Sequence, residues 1–236
     1  MKIRAMTFNI QHTVDFLRQD LNPELMANTI LSVHPDFCVL NEVYGHCEEG
    51  DPVYDEQIEV LSKLTGMEYR AFCPAKIAHG SPYGNAILSY KPFSIRNHII
   101  PDPPTKEDPT KWYETRAIFS AEFDEFCVLG AHYGLACDEQ RNAVKTTSEL
   151  IDSRKKPLIF CGDLNMTPDN ERLKPIYERL TDTAVKFPAP RLSFPSDNPT
   201  IKIDFIFVSN EFKILSADIL PVISSDHRPH YAELEL

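Results

Sequence analysis

The 236-residue chain has no Lys/Arg block, no cysteines at metal-binding spacing and no long apolar run. A membrane-spanning helix needs about 18 uninterrupted apolar residues, so no spanning segment is expected. No charged-then-apolar leader precedes the strand-like start Met1-Lys2-Ile3-Arg4-Ala5-Met6, so no signal peptide is expected either. Cys38, Cys47, Cys73, Cys127, Cys137 and Cys161 form no CxxC pair. Cys38, Cys127 and Cys161 sit inside apolar, strand-like stretches, the pattern of buried thiols in a reducing compartment. The expected location is cytoplasmic. Twenty-four basic against 35 acidic residues leave a net charge of −11. That balance disfavours binding driven by a polyanion's backbone, whose strength follows the number of phosphates neutralised. A nuclease stays open, because bound Mg²⁺ and a few Arg can supply local positive charge.

What is present fits one domain over 1–236, since 42% hydrophobic residues in a chain of this length supply a sizeable core. Residues 2–9 alternate as a strand. Asn22-Pro23-Glu24 starts a helix, with Asn as N-cap and Pro in the first turn, and Pro35 ends it. A short apolar strand over 36–40 then delivers Asn41-Glu42. A comparable unit follows: a strand over 125–131 ending at His132, a helix over about 138–153, and an apolar run over 157–161 leading into Gly162-Asp163-Leu164-Asn165. Both units place polar residues at the ends of buried strands, where open α/β sheets bind ligands. Further strands are read over 86–89, 94–100, 115–123, 201–209, 212–220 and 229–236. Residues 101–109 and 187–199 are Pro-rich loops. The expected architecture is α/β, with sheets packed face to face and about four helices outside.

Several residues can carry chemistry, and each has a bland alternative. Asp163 and Asn165 are two apart, so on an extended backbone both point the same way and suit a hard cation or a phosphate. The same pair is equally an Asx turn. Glu42 and Asn9 end strands, where a polar residue can simply be emerging into solvent. Asp226-His227 is a ligand beside a charge stabiliser, or a polar turn. Asp204 lies inside Ile203-Asp204-Phe205-Ile206-Phe207, where a carboxylate is costly unless paired. Its economical partner is a histidine held through one ring nitrogen. His132 is the other well-placed imidazole. His12, His34, His46, His79, His98 and His230 are read as solvated.

Six motifs occur in order: Thr-Phe-Asn (7–9), Asn-Glu-Val (41–43), Tyr-Gly-Asn-Ala-Ile-Leu-Ser (83–89), Gly-Asp-Leu-Asn (162–165), Ile-Asp-Phe-Ile-Phe (203–207) and Ser-Asp-His (225–227). Together they resemble the endonuclease/exonuclease/phosphatase superfamily of metal-dependent hydrolases. The resemblance implies a DNase I-like fold, a four-layer α/β/β/α sandwich with two mixed sheets between helices. It implies a phosphoester substrate, hydrolysed by a Mg²⁺- or Mn²⁺-activated water, and no obligate protein partner is evident. By the same resemblance Glu42 is the principal metal ligand, assisted by Asn9 and Asp226. Asp163 orients or deprotonates the water, and Asn165 holds a phosphate oxygen or a second metal. His227 stabilises charge on phosphorus, Asp204 holds His227, and His132 helps the leaving group or phosphate. Arg116 and Asn85 contact substrate.

The match has departures. Asn41-Glu42 stands where the superfamily usually has Gln-Glu, and the shorter amide is expected to reach its partner less well. Gln11 replaces an Asp of DNA-repair members, and their basic insertions have no counterpart. The expected function is therefore a phosphodiesterase or phosphatase acting on a small or lipid-derived ester. An endo/exonuclease or DNA-end-processing enzyme is the alternative, followed by a catalytically silent binding module. Specificity is expected in loops 44–54, 79–83, 101–113 and 187–199. There Trp112, Tyr113, Phe187 and Phe194 either stack on substrate or pack the loop.

Overall fold

The structure is a computed structural model that describes residues 1–48 and 56–236; positions 49–54 of the first specificity loop lie outside the described residues. One six-stranded sheet runs, in spatial order, Lys213–Ile219 (β11), His230–Glu235 (β12), Lys2–Asn9 (β1), Phe37–Tyr44 (β2), Ser81–Ser89 (β4) and Tyr69–Ala78 (β3). The other runs Ser94–Ile99 (β5), Ala117–Glu122 (β6), Cys127–His132 (β7), Leu158–Asp163 (β8), Asp204–Val208 (β10) and Thr181–Asp182 (β9). Both are mixed: β1 with β2 and β7 with β8 are parallel, and their other neighbours are antiparallel.

The helices cover the outer faces. Pro23–Leu31 (α1) and Gln57–Thr65 (α2) pack on the first sheet through Met26, Ile30, Ile58 and Leu61. Cys137–Asp152 (α3) and Lys174–Tyr177 (α4) pack on the second through Ala143, Val144, Ile151 and Ile176. Asn22 caps α1 by accepting from the Leu25 amide at 3.0 Å, and Pro23 occupies the first turn, as the sequence predicts. The sequence pattern does not announce β3 or α2.

Three apolar layers result, and period-2 alternation sorts residues among them. In β1, Ile3 and Ala5 face the opposite sheet while Met6 and Phe8 face α1. In β8, Ile159 and Cys161 face inward while Leu158 and Phe160 face outward. Continued to one end of the sandwich, the inward rows turn polar. Ala5 leads to Asn9, Val39 to Asn41, Ile87 to Asn85, Val128 to His132, Cys161 to Asp163, Ile206 to Asp204 and Ala232 to His230. All seven polar residues are buried. The chain thus builds a greasy inter-sheet core that ends in a polar floor.

Candidate active site

Asp163 is the centre of that floor. Strand register sets it beside His132 on β7 and Asp204 on β10. Gly162 makes the local geometry possible: its φ is +149°, and a Cβ there would lie 1.9 Å from the Ala131 carbonyl oxygen. Asp163 Oδ2 accepts from Asn9 Nδ2 at 3.1 Å and lies 3.4 Å from His132 Nε2 and 3.6 Å from His227 Nε2. Its Oδ1 accepts from the Asn165 amide at 2.9 Å, so the Asx turn and the site are one feature. The backbone does not stay extended to Asn165, which adopts φ +49°. That turn brings Asn165 Nδ2 to 3.2 Å from His132 Nε2 and lets it donate to the Tyr133 carbonyl at 2.9 Å.

Asp204 finds the partner that its apolar strand requires. Its Oδ2 lies 2.9 Å from His227 Nδ1, giving a buried chain Asp204–His227–Asp163. Burial works against a charged His227, but Asp204 and Asp163 overcome it and hold the imidazole up at about 10. Burial raises the Asp163 carboxyl to about 7; Asp204 adds to that rise and His227 opposes it. His132 behaves oppositely. Burial and Arg116 push it well below its usual value, so it is neutral. Arg116 Nη1 lies 2.8 Å from His132 Nδ1, and a guanidinium only donates, so Nδ1 is the accepting nitrogen in that contact.

Glu42 enters from the first sheet. The β2–β4 register slips between Leu40 and Val43, and Glu42 at this bulge has φ +60°, which turns its carboxylate out of the alternation. Asn9 Nδ2 donates to Glu42 Oε1 at 3.1 Å as well as to Asp163. Asp226 follows Ser225, whose hydroxyl donates to its Oδ1 at 3.0 Å. Burial raises the Asp226 carboxyl, and Glu42 adds to the rise. The Pro-rich loop anchors this corner: the Ser196 amide donates to Asp226 O at 2.7 Å and Arg228 Nε to Ser196 O at 2.7 Å.

Asp226, whose carboxyl senses Glu42, joins the carboxylates of Glu42 and Asp163, which meet at Asn9, in a hard oxygen set that fits Mg²⁺ or Mn²⁺. Asn9 presents its amide nitrogen to Glu42 and Asp163 while its oxygen accepts from the Gln11 amide at 3.2 Å, so to act as a ligand its amide must turn over. Asp163, Asp204 and His227 also have donor atoms within 4.8 Å of one another. Both nitrogens of His227 already face carboxylates, so that trio is better suited to holding a proton than an ion.

Asn85 is buried. Its oxygen accepts from Asn41 at 2.8 Å and its nitrogen donates to Ala117 O at 2.9 Å, so it ties the two sheets together. Asn41, expected to reach poorly, accepts from the Asp163 amide at 3.1 Å and also donates to Ala131 O at 3.0 Å. Two histidines also depart from the solvated reading. His230 is fully buried, and His12 faces Glu42. Phe187 packs in the core against His230, and the Tyr113 hydroxyl bonds Asp138. Trp112 is exposed, and the Phe194 ring lies 4.8 Å from His227.

A crystal structure of an endonuclease/exonuclease/phosphatase from Beutenbergia cavernae superposes with a TM-score of 0.78 at 20% identity, covering 100% of this chain and 72% of that one. A mannosyl-6-phosphatase from Bacteroides thetaiotaomicron gives 0.76 at 16%, covering 99% and 100%. The catalytic domain of human Nocturnin, solved with a bound sulfate, gives 0.71 at 20%, covering 99% and 93%. At these identities the likeness shows the fold, which is DNase I-like. No curated protein matches the chain in sequence. A family model matches residues 6–227, from the strand that bears Asn9 to the histidine of Ser-Asp-His, and the chain belongs to the endonuclease/exonuclease/phosphatase family.

Proposed function

We propose that the chain is a divalent-metal-dependent phosphodiesterase or phosphatase, acting as one catalytic domain over 1–236 on a small or lipid-derived phosphoester. The observation that carries this reading is the buried Asp204–His227–Asp163 chain set against the carboxylates of Glu42 and Asp226, with Asn9 bridging Glu42 and Asp163. The mannosyl-6-phosphatase relative supports ester hydrolysis on this fold. The acidic balance argues for a substrate smaller than a nucleic acid. The cysteines are free and four of them are buried, which suits the cytoplasm.

Glu42, Asp226 and Asn9 would hold Mg²⁺ or Mn²⁺, which when bound supplies Lewis-acid charge neutralisation and relieves the repulsion among the carboxylates. Asp163 takes the proton from the attacking water, and a carboxylate raised to about 7 is a fitting base. His227, held positive, donates Nε2–H toward a phosphoryl oxygen as negative charge builds there. Asp204 is a positioning residue: it accepts from Nδ1 and fixes the ring. Asn165 and His132 flank the phosphoryl position, with Arg116 holding His132.

The test is hydrolysis of bis-(p-nitrophenyl) phosphate and p-nitrophenyl phosphate with Mg²⁺ or Mn²⁺. Asp163→Asn should lower kcat by about 10²–10⁴-fold, the typical range for a lost general base. Wild-type activity should disappear in EDTA. Full activity in EDTA, or equal rates for both proteins, would overturn the reading. Plasmid cleavage at low salt in preference to both esters would reassign the enzyme to the nucleases.

A further inference from the structure

His12 has no role in the mechanism above, yet the backbone is bent far out of its way to place it. Gln11, His12 and Thr13 have φ values of 44°, 56° and 67°, three consecutive left-handed residues without a glycine. The turn faces the bulge at Glu42, itself left-handed. Gln57, buried at the start of α2, clamps the two together: its Nε2 donates to His12 O at 2.6 Å and its Oε1 accepts from the Tyr44 amide at 2.9 Å. The rings of Tyr44 and Tyr83 hold the imidazole at centroid distances of 5.1 and 5.6 Å.

The protonation pattern of that imidazole is informative. His12 Nδ1 lies 3.4 Å from the Glu42 backbone carbonyl, which can only accept, so Nδ1 carries the hydrogen. In the neutral ring the Nε2 lone pair then faces Glu42 Oε2 at 3.6 Å. Nε2 and Oε2 are thereby two donor atoms close enough to bind one cation between them. A histidine that gives its second N–H to a backbone carbonyl is the usual form of a metal-ligating histidine.

We propose that His12 Nε2 and Glu42 Oε2 share the divalent cation, adding a nitrogen donor to the oxygen set. The site therefore favours Mn²⁺ or Co²⁺ over Mg²⁺, because imidazole suits transition metals better than it suits Mg²⁺. The proposal rests on the reading of Glu42 as a cation ligand. Its alternative is a proton on Nε2, an imidazolium paired with Glu42.

Electron spin-echo spectroscopy of Mn²⁺ bound to the full chain separates these cases. Wild type should show modulation from a directly bound imidazole nitrogen, and His12→Ala should lose it. Equilibrium titration should show His12→Ala weakening Mn²⁺ by about tenfold or more, and Mg²⁺ by much less. His12→Gln, which keeps a polar side chain in the turn, should behave as His12→Ala does. Bound Mn²⁺ without nitrogen modulation, or with modulation that survives in both variants, overturns the assignment of His12 and leaves the hydrolase reading intact. Failure of wild type to bind any divalent cation overturns both.

Discussion

His230 shows how completely a single side chain can be committed. It is fully buried, with Nδ1 3.4 Å from the Asp204 carbonyl and Nε2 3.0 Å from Thr183 Oγ1. The carbonyl can only accept, so Nδ1 carries the hydrogen and Nε2 takes one from Thr183. Burial and the nearby Lys202 push its pKa well below 6.5. The sign follows directly. The unfolded chain binds the proton near pH 6.5 and the native chain does not, so acid favours unfolding. Each pH unit below 6.5 should cost up to about 1.4 kcal/mol from this group, until the depressed native pKa is reached. Urea midpoints between pH 7.5 and 5 should fall for wild type and fall less steeply for His230→Gln. Equal slopes would show that His230 can take up its proton in the folded state. The sequence hides this residue, because His-Tyr-Ala-Glu-Leu-Glu shows alternation but not which face holds the floor. Asp204 is legible by contrast, since a carboxylate between isoleucine and phenylalanines must be paired. His12 is illegible: nothing in Asn-Ile-Gln-His-Thr signals three left-handed residues.

Elements matter here through the positions where they stop being regular. β8 presents Asp163 only because Gly162 allows the backbone to pass against β7. Gly162→Ala would press a Cβ on the Ala131 carbonyl and force a left-handed φ, costs of roughly 1–3 kcal/mol each. The two overlap, so the expected loss is about 2–4 kcal/mol, with β7 and β8 pushed apart and His132 drawn away from Asp163. Chemical denaturation should read the stability, and ester hydrolysis should fall even where the fold persists. A variant with wild-type stability and rate would show that the strand can shift without consequence. Regular elements are the readable part of this fold. Asn22-Pro23 marks α1, and the apolar runs mark β2, β7 and β8. The bulge at Glu42 is not readable, because the extra residue exists only relative to β4. β3 also escapes, since Pro74 interrupts it and half-exposed residues blur its alternation.

At the scale of the molecule, one end of the sandwich collects the carboxylates of the candidate site. Glu42, Asp163 and Asp226 share that end in a chain that already carries −11. Burial raises the carboxyls of Asp163 and Asp226, with Asp204 adding to the first rise and Glu42 to the second, and the raised groups represent stability forgone at the polar floor. A cation bound only by the native state returns some of it by mass action, about 2.7 kcal/mol at a hundredfold excess over Kd. For a chain of this length each kcal/mol moves the melting midpoint by about 2–4 °C. Saturating Mg²⁺ or Mn²⁺ should therefore raise Tm by about 5–10 °C, and EDTA should return it to the metal-free value. Glu42→Gln should change the metal-free Tm little, or raise it by easing the repulsion, while cutting most of the cation-dependent rise. A rise of equal size in wild type and Glu42→Gln would place the stabilising cation elsewhere on this acidic surface, because an ion held by Glu42, as proposed, must sense the loss of that carboxylate.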